Sequence, residues 1–337
     1  MTSKAKPLAA LVFLAVVILA TTASWALRPA AGVRDGARIV LVPPHLGVRE
    51  VARLLAEDGV IRSSAAFVAL AALRGTARQL KAGEYSVPQD SSTMTVLSLL
   101  ESGRVIQHPL LLPEGATVAE LARALETAGL AAASDVRRLS RDRAFLARLG
   151  VAAPSLEGYL FPDTYYFVRG METDDILSRM VQRMRAKVTP EILARAKARG
   201  LGMHELLTLA SIVEREAVVR DELRVIAAVF WNRLQRDMPL QADPTVQYAV
   251  GRERRALTRA DLQVDDPYNT YRHAGLPPGP IASPGLAAIE ATLDPAPVTY
   301  LYFVSVDDRR HFFSTTIDAH NAAVARYRRG SAIAERP

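Results

Sequence analysis

Short apolar runs that end in proline alternate with amphipathic segments in the first half of the chain. Residues 38–43 (RIVLVP) form one such run, and residues 48–58 follow with apolar positions three and four apart, closed by Gly59. A continuous apolar run of this length predicts a strand, whereas the three-to-four spacing with a closing glycine predicts a helix. The pattern therefore predicts a small strand-helix unit in this part of the chain.

The same pattern recurs at an offset of 70 residues, counted from Pro43 to Pro113. Pro113 ends the apolar run 110–113, and the amphipathic stretch 117–128 is closed by Gly129. A weaker echo relates residues 85–88 to residues 159–162. We predict two copies of one strand-helix-strand unit, although any strand-proline-helix segment gives a similar match. Duplicated small modules of this kind typically bind a polymer or a partner.

Longer amphipathic segments dominate the second half of the chain. Residues 174–198 are predicted to be helical, with a new helix starting at Thr189-Pro190 because proline is tolerated in a first helical turn. A further helix is predicted for residues 203–218, and two strands (300–306 and 310–314) and a terminal helix (317–329) follow. Together these elements predict an α+β fold.

Two glutamates flank the apolar face of the helix predicted for residues 203–218. Glu216 has Arg220 four residues further on, which predicts an ordinary helical ion pair. Glu214 has only uncharged residues at its helical contact positions. Desolvation beside an apolar face raises the pKa of a carboxyl, which suits a general acid. The residues alone leave open whether Glu214 is such an acid, an exposed boundary residue or the partner of a distant arginine.

The strongest apolar run of the sequence lies near its N-terminus. Residues 8–27 contain no charged side chain over 20 positions, about the helical length that spans a bilayer. Lys4 and Lys6 precede the run, so the positive-inside tendency predicts a cytoplasmic N-terminus and an exported remainder. A cleaved signal peptide is the alternative, because Ser24-Trp25-Ala26 resembles a small-residue cleavage site. Either interpretation exports the bulk of the chain.

Charge and composition narrow the choice of partner. The 337 residues carry a net charge of +7, which suits an anionic partner, but export and an aromatic content of 6% argue against nucleic acid. Cysteine is absent, which excludes disulfides and thiolate metal sites. His204-Glu205 begins like a zinc-protease motif, but Thr208 stands where the second histidine is required. We predict neither a metal nor a cofactor.

Polar side chains concentrate between residues 241 and 285. Residues 241–248 (QADPTVQY) and 268–271 (YNTY) precede a Pro/Gly-rich stretch at 275–285. Such stretches form rigid irregular loops, where binding residues concentrate. Asn, Gln, Asp and Tyr also bind the hydroxyl and acetamido groups of sugars. An ordered connection between domains explains the pattern equally well.

Seven blocks of the second half, taken in order, resemble the endolytic murein transglycosylase family (MltG, YceG-like). They are LASIVERE at 209–216, FWNRL at 230–234, LQADPTVQY at 240–248, YNTY at 268–271, GLPPGPI at 275–281, YLYF at 300–303 and FSTTIDAHN at 313–321. The likeness extends to the N-terminal anchor, to strand-helix units similar to a LysM-type region, and to LEGYLFPDT at 156–164. It is weakest at residues 131–153, and Ala242 and Ser283 occupy positions that vary among relatives.

The resemblance implies a lytic transglycosylase, which is a carbon-oxygen lyase that uses no cofactor. It implies cleavage of the β-1,4 bond between N-acetylmuramic acid and N-acetylglucosamine in nascent peptidoglycan strands, with 1,6-anhydro ends as products and control of strand length as the role. The family's catalytic glutamate is the first of the Ile-Val-Glu-x-Glu block, which is Glu214 here. The implied partners are peptidoglycan strands, the cytoplasmic membrane and the penicillin-binding synthases. A membrane-tethered peptidoglycan-binding scaffold without catalysis is the alternative.

These inferences combine into one expected organisation. A single-pass protein of the cytoplasmic membrane is predicted, with its N-terminus inside and its catalytic domain on the periplasmic side. The predicted parts are a cytoplasmic tail, transmembrane anchor and linker at 1–37, a LysM-like unit at 38–105, a second related unit at 106–185 and a mixed α+β catalytic domain at 186–330. Besides Glu214, the hypothesised sugar contacts or supports are Asn232, Gln241, Asp243, Tyr248, Asn269, Tyr271, Ser314 and Asn321.

Overall fold

The structure is a computed structural model that describes residues 5–30, 36–252, 255–307 and 310–334. This described part contains 14 α-helices and six short strands, so the predicted α+β class is confirmed. The chain divides into two compact units, Met1–Pro109 with Tyr166–Glu172 and Leu110–Tyr165 with Thr173–Pro337. The four-part division expected from the sequence stays a prediction.

The first unit contains four helices and one antiparallel strand pair. Pairing of the two strands places Ala37 opposite Pro88 and Val42 opposite Gly83. The predicted strand and helix after the linker are confirmed, whereas the helix at 64–73 was not predicted because its residues are almost all apolar and show no periodicity. The elements are α1 (Ala5–Leu27), β1 (Ala37–Val42), α2 (Val48–Glu57), α3 (Ser64–Leu73), β2 (Gly83–Pro88) and α4 (Thr93–Ser102).

Helix α1 covers the segment for which the sequence predicts a transmembrane anchor. Across the residues that the structure describes, no helix has the length and apolar character needed to cross a membrane. The predicted transmembrane helix is therefore not confirmed. The predicted cytoplasmic tail and linker fall in part on residues 1–4 and 31–35, which lie outside the described residues.

The second unit is mostly helical. Strands β3 and β4 pair with each other, and the chain passes between the units within these two strands. Residues 159–162 belong to no strand, unlike residues 85–88, and the strand begins only at Thr164, so the weaker match of the repeat is wrong. The elements are β3 (His108–Leu111), α5 (Val118–Thr127), α6 (Ala133–Leu139), α7 (Arg143–Arg148), β4 (Thr164–Phe167), α8 (Thr173–Lys187), α9 (Pro190–Ala198), α10 (Met203–Glu216), α11 (Leu223–Leu234), α12 (Asp243–Ala249), α13 (Leu286–Leu293), β5 (Tyr302–Ser305), β6 (His311–Ser314) and α14 (Ile317–Ala334).

Helix α10 lies in the core of the second unit and packs against α11 and α13. Its predicted apolar face is buried, because Leu206, Leu209 and Val213 have no exposed surface. The helix ends at Glu216, since the backbone at Ala217 is extended with ψ 121°. Glu214 and Glu216 therefore lie in its last turn, at the edge of the core.

Candidate active site

An open cavity of about 520 Å³ lies at the C-terminal end of α10. Four carboxyl groups line it, and we call it the acidic cavity. Glu114 comes from the turn before α5, Glu214 and Glu216 come from the last turn of α10, and Asp243 is the first residue of α12. Three separate segments of the sequence thus converge on one opening.

The Pro/Gly-rich loop connects the turn before α5 to α10. The Gly115 amide donates to the Ser283 carbonyl, and the Ser283 amide donates to the Ala116 carbonyl, both at 2.8 Å. The Ile281 amide donates to Ser211 Oγ on α10 at 3.1 Å. These bonds fix the loop on both sides of the cavity.

His204 holds the same loop from the first turn of α10. Its Nε2 lies 2.8 Å from the Pro278 carbonyl oxygen, and its Nδ1 lies 2.9 Å from the Tyr159 hydroxyl. Both ring nitrogens are engaged by protein groups. The histidine of the incomplete zinc motif is therefore a structural residue.

Glu214 combines partial burial with a free oxygen. Its Oε2 accepts a hydrogen bond from the Gly285 amide at 2.9 Å, and its Oε1 makes no hydrogen bond with any residue in the described ranges. Burial raises the pKa of Glu214, the Gly285 amide opposes the rise, Glu114 adds to it and Arg220 opposes it. The net upward shift keeps a larger fraction of this carboxyl protonated near neutral pH.

Glu114 is fixed beside Glu214. Its Oε2 lies 2.9 Å from Arg220 Nη2. A β-carbon at position 285 would lie 2.1 Å from Glu114 Oε1, so any larger residue there would force the Glu114 side chain to move. Glu114 therefore occupies one defined place, close enough to Glu214 to disfavour its ionisation.

Glu216 faces Asp243, and the predicted ion pair between Glu216 and Arg220 is wrong. Helix α10 ends at Glu216, so the four-residue helical spacing does not extend to Arg220, which pairs with Glu114 instead. The Glu216 carboxyl accepts a hydrogen bond from the Asp243 amide, and burial together with the Asp243 carboxylate raises its pKa to about 8. Glu216 is therefore mostly protonated at neutral pH.

Three of the sugar contacts hypothesised from the sequence lie at or near this region. Asp243 lines the acidic cavity, and the Tyr271 hydroxyl donates to its Oδ1 at 2.6 Å. Tyr248, on the next turn of α12, lines a different cavity and packs against Tyr268 with ring centroids 4.9 Å apart. Helix α12 thus presents side chains to two openings.

The other five hypothesised contacts do not line the acidic cavity. The amide nitrogen of Asn232 donates to the carbonyls of residues 298 and 300, and that of Asn269 donates to the carbonyls of residues 262 and 264. Gln241 accepts from an arginine of α11, Ser314 is buried in β6, and Asn321 is exposed on α14. Asn232 and Asn269 act as supports of backbone segments, and a sugar contact for any of the five stays a prediction.

The sequence did not single out Glu114 or Gly285. Glu114 lies between the run at 110–113 and the helix predicted for 117–128 and was given no role, and Gly285 was seen only as the end of the Pro/Gly-rich stretch. The signal that marks them is spatial, because each meets Glu214 across about 70 to 100 residues of chain. Glycine inside a tightly bonded loop was the one hint that another chain approaches closely.

Comparison with known proteins decides the family. A model of the YceG-like family matches residues 40–326. The chain belongs to the YceG-like family. A relative from Bacillus subtilis (strain 168), named endolytic murein transglycosylase, is 33% identical over 302 residues, which cover 85% of this chain and 83% of that protein. A relative of the same name from Streptococcus pneumoniae (serotype 2, strain D39) is 31% identical over 318 residues, but the match spans only 57% of its length.

A solved structure of the family has a similar fold. The crystal structure of a putative YceG-like protein from Listeria monocytogenes superposes with a TM-score of 0.61 at 31% sequence identity. The match covers 86% of this chain and 99% of that one. The likeness therefore extends over both units of this YceG-like chain rather than over the candidate site alone.

Proposed function

We propose that this chain is a lytic transglycosylase that cleaves peptidoglycan, with Glu214 as its acid and base. Curated relatives that bear the name endolytic murein transglycosylase support the substrate class and the reaction. The observation that supports the residue is the position of Glu214, half-buried at an open cavity with a raised pKa and one unbonded oxygen. Such a carboxyl can hold a proton and still reach a substrate.

The proposed bond is the β-1,4 linkage between N-acetylmuramic acid and N-acetylglucosamine in nascent strands. Protonated Glu214 gives its proton to the glycosidic oxygen as the bond to the muramic C1 breaks and positive charge develops on the ring. The resulting carboxylate accepts the proton of the muramic C6 hydroxyl as that oxygen bonds to C1. The products are a free glucosamine 4-hydroxyl and a 1,6-anhydromuramic end, and no water is consumed.

One carboxyl suffices for both steps because the nucleophile is part of the substrate. The neighbouring acids fit this scheme. Glu216, with a pKa of about 8, is mostly neutral at pH 7, Glu114 is held in an ion pair with Arg220, and Asp243 accepts a hydrogen bond from Tyr271. A water-using glycosidase would instead need a second ionised carboxylate as base or nucleophile.

The proposal also includes location and role. The apolar run at residues 8–27 after two lysines supports a membrane anchor with the catalytic unit on the periplasmic side. Cleavage near the membrane would limit the length of strands made by penicillin-binding synthases, which are the proposed partners.

Product analysis tests the reaction and the residue together. The full chain is incubated with uncrosslinked glycan strands, and the ends are measured by mass spectrometry, where an anhydro end is one water lighter than a hydrolysed end. Glu214→Gln is expected to abolish product formation with little change in Tm. Glu205→Gln, on an exposed position of the same helix, is the matched control and should keep its activity.

The outcomes separate three functions. Anhydro ends that depend on Glu214 support the transglycosylase. Reducing muramic ends would identify a water-using muramidase. Strand binding without any product would leave only a peptidoglycan-binding scaffold, and retained turnover in Glu214→Gln would remove this residue from the mechanism.

A further inference from the structure

A second cavity of about 670 Å³ lies in the same unit, and we call it the arginine cavity. Two arginines, Arg137 of α6 and Arg141 of the turn after it, line its opening and are exposed. Neither forms an ion pair with another residue of the described chain, whereas Arg138 between them pairs with Asp135 at 3.0 Å. Two arginines without a direct ion-pair partner in the described chain thus face one opening, which the carboxylates of Glu157 and Asp266 also line.

The inner wall of the arginine cavity is polar but already paired. Glu157 is buried, and its two oxygens accept from the Val118 amide at the start of α5 at 3.0 and 3.3 Å. The same carboxylate is hydrogen-bonded to Tyr248. The pKa of the Tyr248 phenol is raised mainly by burial and further by the negative charge of Glu157. Asp266, the other carboxylate of this cavity, accepts a hydrogen bond from the Tyr268 amide at 2.8 Å. Both carboxylates are therefore held by protein donors, and the two arginines keep hydrogen-bond donors available to a ligand.

The two cavities are neighbours along two chain segments. The turn before α5 supplies Glu114 and Gly115 to the acidic cavity and Thr117 to the arginine cavity. Gly115 and Thr117 are two residues apart, which bounds their Cα separation at about 7 Å. Gln247 and Tyr248, adjacent in α12, line the acidic and the arginine cavity respectively. A ligand with two branches could therefore occupy both openings.

Arginine recognises carboxylates, because its planar guanidinium donates two parallel hydrogen bonds to the two oxygens. Flat phenol rings such as those of Tyr248 and Tyr268 add an apolar surface against which a short chain can pack. We propose that the arginine cavity binds the carboxylate-bearing peptide branch of the glycan strand whose sugar backbone lies in the acidic cavity. This inference rests on the proposed function, since it takes the strand as the substrate.

The test compares two substrates and two double variants of the full chain. The substrates are uncrosslinked strands that keep their peptide branches and the same strands after removal of the branches with an amidase. The stripped strands still carry the lactyl carboxylate of the muramic ring, so they separate this carboxylate from those of the peptide. The variants are Arg137→Gln/Arg141→Gln and the control Arg138→Gln/Arg143→Gln, which removes the same charge outside the cavity.

The unmodified chain is expected to show a kcat/KM about tenfold higher on branched than on stripped strands. A loss of about tenfold is what the removal of partly exposed, charge-assisted hydrogen bonds typically causes. The Arg137→Gln/Arg141→Gln variant is expected to bring the ratio of the two kcat/KM values close to one. The control is expected to keep the ratio. Equal loss in both variants would indicate general charge attraction and overturn the proposal, as would an unchanged ratio or the absence of any preference.

A binding measurement keeps this inference separate from the proposed reaction. In a Glu214→Gln background, the Kd for a branched tetrasaccharide is measured with and without the Arg137→Gln/Arg141→Gln change, and it is expected to rise about tenfold. If no product forms on any substrate but this rise is seen, the reaction fails and the peptide site stands. If products form but the Kd does not change, the reaction stands and the peptide site is wrong.

Discussion

The turns that precede α2 and α5 have the same backbone and different side chains. Each helix begins three residues after a residue with positive φ, which is His45 at 64° in the first turn and Gly115 at 73° in the second. Each first helical turn also contains a glutamate whose carboxylate accepts a backbone amide, Glu50 from Gly47 and Glu120 from Thr117. The repeat offset of 70 residues holds for every one of these features.

The difference lies in the residues that the turns present. At the position of Pro44 the second turn has Glu114, which enters the acidic cavity, and at the position of Leu46 it has Ala116. Leu46 is 36% exposed, whereas Ala116 is 2% exposed beneath the Pro/Gly-rich loop. A duplicated turn thus supplies the geometry twice, and substitution at two or three positions gives one copy its chemical role.

The largest effect is expected from a methyl group beneath Glu114. Gly285→Ala places a β-carbon where Glu114 Oε1 lies, so the change displaces either this carboxyl or the amide that binds Glu214. A misplacement of this size is expected to lower kcat about a hundredfold. Steady-state turnover of glycan strands measures it.

Gly47→Ala is the matched control for this change. Gly47 is also a helix N-cap with negative φ, and a β-carbon there would keep an ordinary 3.4 Å contact with Glu50. It should cost less than about 1 kcal/mol of stability and leave turnover intact. Equal damage from both changes would mean that the second turn has no special role.

The next effect concerns the pH dependence of turnover. Glu114→Gln removes a negative charge that raises the pKa of Glu214, so the alkaline limb of the kcat profile should move to lower pH, with about a tenfold loss above it. Arg220→Gln removes an opposing positive charge, so the limb should move to higher pH. Profiles of kcat against pH for the two variants measure the direction of each shift.

Glu50→Gln, in the other turn, provides the control and should leave the limb in place. If the alkaline limb moved in the same direction in Glu114→Gln and Arg220→Gln, the two residues would act by holding the local structure in place and not through their charges on the pKa of Glu214.

A smaller effect is expected on stability, and only in the unit that contains the acidic cavity. The folded pKa of Glu216 lies near 8, above the ordinary value of 4.5, so its stabilising contribution is complete below pH 4.5 and is lost as pH rises towards 8. Glu216→Gln should therefore remove part of the decrease in Tm between pH 5 and pH 9. Thermal unfolding at several pH values measures this. Glu205→Gln is the control because Glu205 is exposed, whereas Glu84 is buried and would not be a neutral comparison.

A parallel decrease in the Glu216→Gln variant and the unmodified chain would contradict this interpretation. Hydrogen exchange would then show which unit unfolds first at alkaline pH.

The smallest effect is expected in the first turn. His45→Gly relieves a left-handed backbone conformation that costs a non-glycine residue about 1 to 2 kcal/mol, but it also adds entropy to the unfolded chain. The net gain in the free energy of unfolding should be at most about 1 kcal/mol. Chemical denaturation measures it, and a clear loss of stability would show that the His45 side chain makes a contribution of its own.

The sequence predicted these turns well because their signals are local. A proline, a glutamate in the first helical turn and a closing glycine lie within about 16 residues, and they placed α2 and α5 within one residue of the observed bounds. Helix α3 was missed because SAAFVALAAL has too few polar residues to show a period. Local periodicity thus accounts for both the success and the failure.

The site was predicted only as far as it is local. The uncharged helical neighbours of Glu214 indicated a raised pKa, which agrees with the structure, but its role as the acid was implied only by the family resemblance. Glu216 was misjudged because the helix was expected to continue to residue 218, whereas it ends two residues earlier. Glu114 was not predicted, because no local pattern in the sequence indicates that it lies beside Glu214, 100 residues further along the chain.

The return of the chain through residues 166–172 has a practical consequence for dissecting the protein. A fragment starting at residue 110 would carry this short segment away from its own unit, leaving Arg169 without Glu84, to which it lies at 2.9 Å. A fragment cut before residue 110 therefore contains a segment, residues 166–172, that has lost the unit against which it packs. Separation of the two halves would require rejoining the ends at 165 and 173 with a short bridge.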